Sequence, residues 1–347
     1  MKTEKSQAKQ HPDKCNCIGK YDNCRCQRPE TPHQSKQKAS LRAVLIVSVI
    51  LLVIAGLVRG DSKNTNRSIG KPGLLIIAHG SPSPQWNKPV ITQEQKVMDI
   101  LGRDNPYLKV MVVFMEFAEP NVADGIAELQ QAGCNRIVAV PLLIAPSSHS
   151  HWDVPALLGI YSNAEIEKAL LDEGARLIRS EVPITLTTTL AESDVIEKIM
   201  LKRVRELSRN PKNEAVVLLA HGSAATPPAW ERLMKRTVTH ICGQTGISYG
   251  DWASVGVGQE YSRAVDAIQE AAKHRDHVIV VGAYLSLGVD RMHKRWSARF
   301  EEDVPMPGFE NPLEDLSIRL STEGLLPDEA IAQWIADTAK DEIKRHP

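Results

Sequence analysis

A chain of 347 residues with 42% hydrophobic and 24% charged side chains has room for more than one buried core, which excludes wholesale disorder. Lys plus Arg and Asp plus Glu each total 42, yet residues 1–59 carry 11 basic against 4 acidic side chains and residues 60–347 carry 31 against 38. The acidic balance of the larger part excludes a basic domain coating a nucleic-acid backbone, and six cysteines are too few for a disulfide scaffold.

The first segment, residues 1–42, is a basic tail that holds Cys15, Cys17, Cys24 and Cys26 in CNCIGKYDNCRC. Two Cys-x-Cys pairs can offer four thiolates to a soft or borderline metal. The spacing is not the Cys-x2-Cys of zinc ribbons, so incidental thiols are the other reading. Residues 43–58, AVLIVSVILLVIAGLV, contain no charge. The run is apolar on every face between polar, basic flanks, which predicts a transmembrane signal anchor over 43–59 rather than a buried core helix. The preceding 42 residues and the absence of an Ala-x-Ala site argue against a cleaved signal peptide. The tail's ten basic residues place it on the cytoplasmic side of the cytoplasmic membrane and the large domain outside. Residues 60–72, GDSKNTNRSIGKP, read as a linker.

From residue 73 onward the chain repeats itself. GLLIIAHGS at 73–81 and AVVLLAHGS at 215–223 are apolar runs of strand length ending at His-Gly-Ser, with His79 and His221 142 positions apart. NRIVAVPLLIA at 135–145 and DHVIVVGAYLS at 276–286 form a second pair at nearly the same offset. Both are β-branched runs suited to strands buried on two faces. YLKVMVVFMEFAEP supplies another strand, and ADGIAELQQAG and RAVDAIQEAAKH supply amphipathic helices. Strand and helix in alternation predict an α/β fold of two similar doubly wound lobes with parallel sheets, over 73–205 and 206–305. Residues 306–347 follow as a helical extension, with a final helix over 327–345.

Ligands of open α/β sheets bind beyond the carboxyl ends of the strands. His79 stands at such an end, and Gly80 lets the chain turn and a ligand approach. His149, in SSHSHWDVP, lies beyond the strand IVAVPLLIA, and Glu116 ends VVFME. Two neutral imidazoles facing one cleft can hold a divalent transition metal, and one of them, or Glu116, can take a proton. Glu119 competes for the carboxylate role, and His151 reads as a solvated neighbour. No phosphate loop, dinucleotide fingerprint, G-x-S-x-G elbow or H-E-x-x-H helix is present, so ATP use is unsupported.

The ordered set LLIIAHGS, VVFMEFAEP and VAVPLLIAPSSHSHWDVPALLG resembles the sirohydrochlorin chelatase family of the CbiX type over most of 73–300. In that family's pattern a His lies four residues before Asp-hydrophobic-Pro, which matches His149 with Asp153, Val154 and Pro155. The resemblance implies ATP-independent insertion of Co2+ or Fe2+ into sirohydrochlorin, on the way to cobalamin or siroheme. It implies no cofactor beyond the substrate metal, and it carries His79, His149 and Glu116 over as metal-binding and proton-accepting residues. Ser81, Lys88, His221 and His293 would meet substrate, with Arg291, Lys294 and Arg295 as further carboxylate contacts. The second lobe departs from the pattern: Asp290 falls opposite His149, and Gly258 falls opposite Glu116 with Glu260 nearby. One main site, in the first lobe, is therefore expected. A tethered metal or tetrapyrrole carrier without turnover is the alternative. A phosphohistidine enzyme is disfavoured because Ala78, not Arg, precedes His79.

Overall fold

The computed structural model describes residues 70–256, 261–298 and 311–346. The cysteine tail, the apolar span at 43–59, nearly all of the linker, Gly258 and Glu260 lie outside the described residues. Among the described residues no helix is long and apolar enough to cross a membrane.

The first apolar run forms β1 (Gly73–Ala78), buried along its whole length. Helix α1 (Pro84–Leu101) follows, with Pro at its start where an N–H would be unpaired anyway. Then come β2 (Lys109–Phe114), α2 (Val122–Gln131) and β3 (Ile137–Pro141). Asn121 caps α2 by accepting a hydrogen bond from the Asp124 N–H. A short π turn at His149–Asp153 runs into the one-turn helix α3 (Val154–Leu157). The first half closes with α4 (Ala164–Asp172), β4 (Ile184–Leu186) and α5 (Val195–Leu207). The second half repeats the order with β5 (Glu214–Ala220), α6 (Pro227–Thr245), β6 (Tyr249–Ser254), α7 (Ser262–His274), β7 (His277–Ala283), α8 (Val289–Ser297), β8 (Ser317–Leu320) and α9 (Glu329–Arg345).

Each half builds a four-stranded, wholly parallel sheet, β2-β1-β3-β4 and β6-β5-β7-β8. The doubly wound α/β reading thus holds for both lobes. Strand side chains alternate between faces, so each central strand feeds two cores. Leu75, Ile77 and Val113 pack on Ile126 and Leu129 of α2 at the outside of lobe 1. Ala215, Val217 and Leu219 pack on Ala264 and Ile268 of α7 at the outside of lobe 2. The opposite faces, with Leu74 and Ile76 from one sheet and Val216 and Leu218 from the other, share a single core. Helices α1, α5, α6 and α9 fill the layer between the sheets.

Two helices cross between halves. Helix α5, whose sequence lies largely within 73–205, packs on α6 and on β7 of the second sheet. The segment 306–347, expected as a helical extension, supplies β8 to the second sheet and returns α9 to β3 and α1 of the first lobe. Tyr107 in lobe 1 donates its hydroxyl hydrogen to the Ala339 carbonyl on α9 at 2.7 Å, a buried tie between the first lobe and the final helix.

Candidate metal-capture site in the first lobe

The β1–β2 ladder sets the geometry of the site. Ala78 pairs with Phe114, and the pairing continues past both strands, since Met115 N–H donates to Ala78 and Glu116 N–H donates to His79, each at 2.9 Å. Glu116 is thereby held beside His79. Gly80 makes this approach possible: its φ is +94°, and a Cβ there would lie 1.9 Å from the Glu116 carbonyl oxygen. Any other residue would push the two strand ends apart.

His149 arrives from the loop after β3. Its π turn brings it against Asp153, four residues on, with Nδ1 2.8 Å from Oδ2. The His79 and His149 rings meet edge to face at 4.8 Å between centroids. One ligand atom from each of His79, Glu116 and His149 lies within 4.8 Å of the others, and all three residues are half-buried. This is the group of three with metal-ligand spacing among the described residues.

The hydrogen bonds select the tautomers. His79 Nδ1 lies 2.9 Å from the Gly80 carbonyl, which can only accept, so Nδ1 carries hydrogen and Nε2 keeps a lone pair. Asp153 does the same for Nδ1 of His149, a carboxylate–imidazole pairing that orients a ligand and raises its basicity. The hydrogen bond to Asp153 raises the His149 pKa above its ordinary value; burial opposes this, and the charges of Asp153, Glu116 and Glu173 add to it. Two imidazole nitrogens and one carboxylate form a borderline donor set suited to first-row divalent metals. Full tetrahedral coordination with bonds of ~2.1 Å separates ligand atoms by roughly 3.4 Å. The 4.8 Å limit is looser than that.

The remaining predicted residues divide. Ser81 holds the turn into α1: its Oγ accepts from Ser83 N–H at 3.1 Å and its carbonyl accepts from Asn87 at 2.7 Å. Lys88, Glu119, His151, Arg291, Lys294 and Arg295 are exposed. Glu119 accepts from the Asn121 N–H at 2.7 Å, which occupies it at the α2 start rather than at the triad. In lobe 2 His221 copies His79, with Nδ1 2.9 Å from the Gly222 carbonyl, and is exposed. Among the described residues, its lobe 1 partners are not repeated at the equivalent positions. Ala220 pairs with Ser254 as Ala78 pairs with Phe114, so Gly256, and not Gly258, stands in the place of Glu116. The strand register confirms Asp290 opposite His149, because Leu219 pairs with Gly282 as Ile77 pairs with Pro141. His293 lies against Tyr261 and Trp296, at 5.9 and 5.7 Å between ring centroids, and burial lowers its pKa. The carboxyl-end loops of the two lobes meet where Thr226 donates to the Pro146 carbonyl, three residues before His149.

Two features of the site escaped the sequence. Glu173, at the C-terminal end of α4, adds negative potential at His149. Phe117, next to Glu116, points an exposed ring toward His79. Neither belongs to a periodic pattern, and the neighbour of Glu116 in sequence gave no sign of a special backbone.

The CbiX family model matches residues 73–207. The sirohydrochlorin cobaltochelatase of Saccharolobus solfataricus is 32% identical over 134 residues, spanning 39% of this chain and 94% of that protein. The sirohydrochlorin cobaltochelatase of Methanosarcina barkeri is 31% identical over 140 residues, 39% of this chain and 96% of that protein. These relatives are thus about one lobe long, and lobe 1 spans nearly all of them. Both lobes together match the fold of the sirohydrochlorin chelatase SirB from Bacillus subtilis subspecies spizizenii in complex with cobalt, at a TM-score of 0.54 and 14% identity, covering 80% of this chain and 97% of that one. With a first lobe that spans nearly whole family members at this identity, and a fold that repeats it, the chain belongs to the sirohydrochlorin chelatase family.

Proposed function

We propose that this protein inserts a divalent metal ion into sirohydrochlorin without a nucleotide, using His79, Glu116 and His149 in lobe 1. The convergence of these three side chains at the carboxyl edge of one sheet carries the reading. Nε2 of each histidine would take the incoming Co2+ or Fe2+, and Glu116 would complete a partial ligand set. The loose spacing suits a donor that must also let go, because tight capture would oppose transfer. As the metal leaves for the macrocycle, two metal–nitrogen bonds replace two pyrrole N–H bonds, and two protons depart. A histidine freed of metal, or Glu116, is placed to accept them. The product feeds cobalamin synthesis with cobalt and siroheme synthesis with iron. No cofactor beyond the substrate metal is required by this scheme.

Lobe 2 would hold substrate rather than metal, with His221 and His293 among its contacts and Lys88, Arg291, Lys294 and Arg295 offered to the carboxylates. A carrier that binds metal or tetrapyrrole without turnover is the second reading, favoured by Gly256 and Asp290 standing where lobe 1 has Glu116 and His149. We place the protein at the cytoplasmic membrane through residues 43–59, with the tail inside and the catalytic lobes outside. Protease protection of the C-terminal lobe in intact cells would overturn that topology. The cysteines of the tail remain a candidate metal site of their own, separate from catalysis.

The test is insertion by the full-length protein in mild detergent, followed by absorption with sirohydrochlorin and either metal, without ATP. Multiple turnovers in the native protein, reduced at least a hundredfold in both His79→Ala and His149→Ala, are expected. A spectral change that saturates at one equivalent would establish the carrier instead.

A further inference from the structure

Phe117 combines two features that are each unfavourable for a bulky apolar residue. Its φ is +62°, the single positive φ outside glycine among the described residues. The residue is 63% exposed, the highest value among the exposed large hydrophobic residues described. A glycine at this position would relieve the backbone and remove apolar surface from water at once. Backbone strain of this kind persists where the surroundings impose it, and it concentrates at ligand-handling sites. The surroundings here are the capture triad. Glu116 precedes Phe117, and the Phe117 ring lies 6.1 Å from the His79 ring with the two planes inclined by only 32°. A cavity of about 220 Å³ opens beside it, lined also by Glu116 and Glu173.

A flat conjugated macrocycle must present one face to the metal that His79 and His149 hold. Rings at 4.5–7 Å in offset or tilted stacking attract one another beyond the area they bury. Building on the chelatase reading, we infer that Phe117 is the stacking platform for the tetrapyrrole, seating the macrocycle face-on over the triad. The strained backbone aims the ring outward along the path the macrocycle takes, and the ring's apolar face is covered only when substrate is bound. Phe117 is therefore a substrate-positioning residue, distinct from the metal ligands beside it.

The test uses the full-length protein and three variants, Phe117→Gly, Phe117→Tyr and Phe117→Trp. Metal-free sirohydrochlorin is titrated by absorption, Co2+ alone by calorimetry, and insertion is measured for KM and kcat. Phe117→Gly should weaken macrocycle binding and raise KM about tenfold, the size of one lost aromatic stack. It should leave the Co2+ affinity within about twofold and the melting temperature at or above that of the native protein, since glycine accepts the positive φ. Tyr and Trp should restore binding to within about threefold. Native macrocycle binding in Phe117→Gly overturns the platform, whether or not the variant's oligomeric state changes. A loss of Co2+ affinity in Phe117→Gly also overturns it, because the ring would then act on the triad. If the native protein neither binds sirohydrochlorin nor inserts metal, the chelatase reading fails and the platform fails with it, an outcome visible without any variant.

Discussion

At the scale of single residues, the site depends on which nitrogen of each histidine is left free. Gly80 and Asp153 occupy the two Nδ1 atoms and leave the two Nε2 atoms for an ion. Asp153 should therefore matter nearly as much as the ligand it orients. Asp153→Asn keeps the shape and removes the charge, and outer partners of this type typically account for 10–100-fold in metal affinity. We expect a loss of that size in Co2+ binding, read by calorimetry. The variant should also move the acid side of the pH profile. His149 is held protonated to higher pH than usual by Asp153, and a protonated Nε2 cannot bind metal. On the proposed mechanism, insertion should rise as pH climbs through the His149 pKa, and without the Asp153 charge that rise should occur at lower pH. An unchanged profile and unchanged affinity would remove Asp153 from the mechanism.

At the scale of elements, one buried carboxylate joins three pieces of lobe 2. Glu214, at the first position of β5, is fully buried and accepts from the Ser208 hydroxyl, from Arg209 and Asn210 N–H groups, and from Arg319 on β8. Burial alone would raise its pKa, but these hydrogen bonds outweigh it and hold the carboxyl at about 2, against an ordinary 4.5. A depressed pKa adds stability above the unfolded value, and that stability is lost as pH falls from about 4.5 toward about 2. Glu214→Gln leaves buried donors facing a neutral amide and should cost about 2–4 kcal/mol at pH 7. The gap between the two proteins in urea midpoint should narrow steadily below pH 4.5. A gap that stays constant down to pH 3 would show that the carboxylate's charge contributes nothing to stability.

At the scale of the whole molecule, the two lobes are not independent. Their inner sheet faces share one core, α5 leaves the first half to pack on the second sheet, and α9 returns to the first. Neither lobe can unfold without exposing Leu74 and Ile76 on one side or Val216 and Leu218 on the other, all fully buried. Calorimetry of the full-length protein should accordingly give one cooperative transition for residues of both sheets. Ile335→Ala on α9, which removes a buried side chain in the shared layer, should lower that single transition, at a cost of about 2–5 kcal/mol. Two resolved transitions, only one of them moved by the substitution, would show that the lobes fold separately.

Much of this was legible in the chain itself. Continuous β-branched runs with no alternation implied strands buried on both faces, and their repetition at a fixed offset implied two lobes, because burial on two faces requires helices on both sides of a parallel sheet. The three converging residues were also legible, since His79 and Glu116 follow the ends of strand runs and His149 lies in the loop beyond one, and ligands gather at such ends. The short strand β4 and the polar β6, Tyr249–Ser254, left no comparable mark, because edge strands need only one apolar face. Tertiary structure decided the rest. It set the equivalence of Gly256 and Glu116, which depends on strand register and which counting along the sequence shifted by two residues. It sent α5 and α9 across to opposite lobes, a matter of which apolar faces are left to cover once both sheets have formed. It also gave Phe117 its positive φ, beside the close pass of Gly80 on the Glu116 carbonyl, a contact between residues more than thirty positions apart that no local pattern encodes.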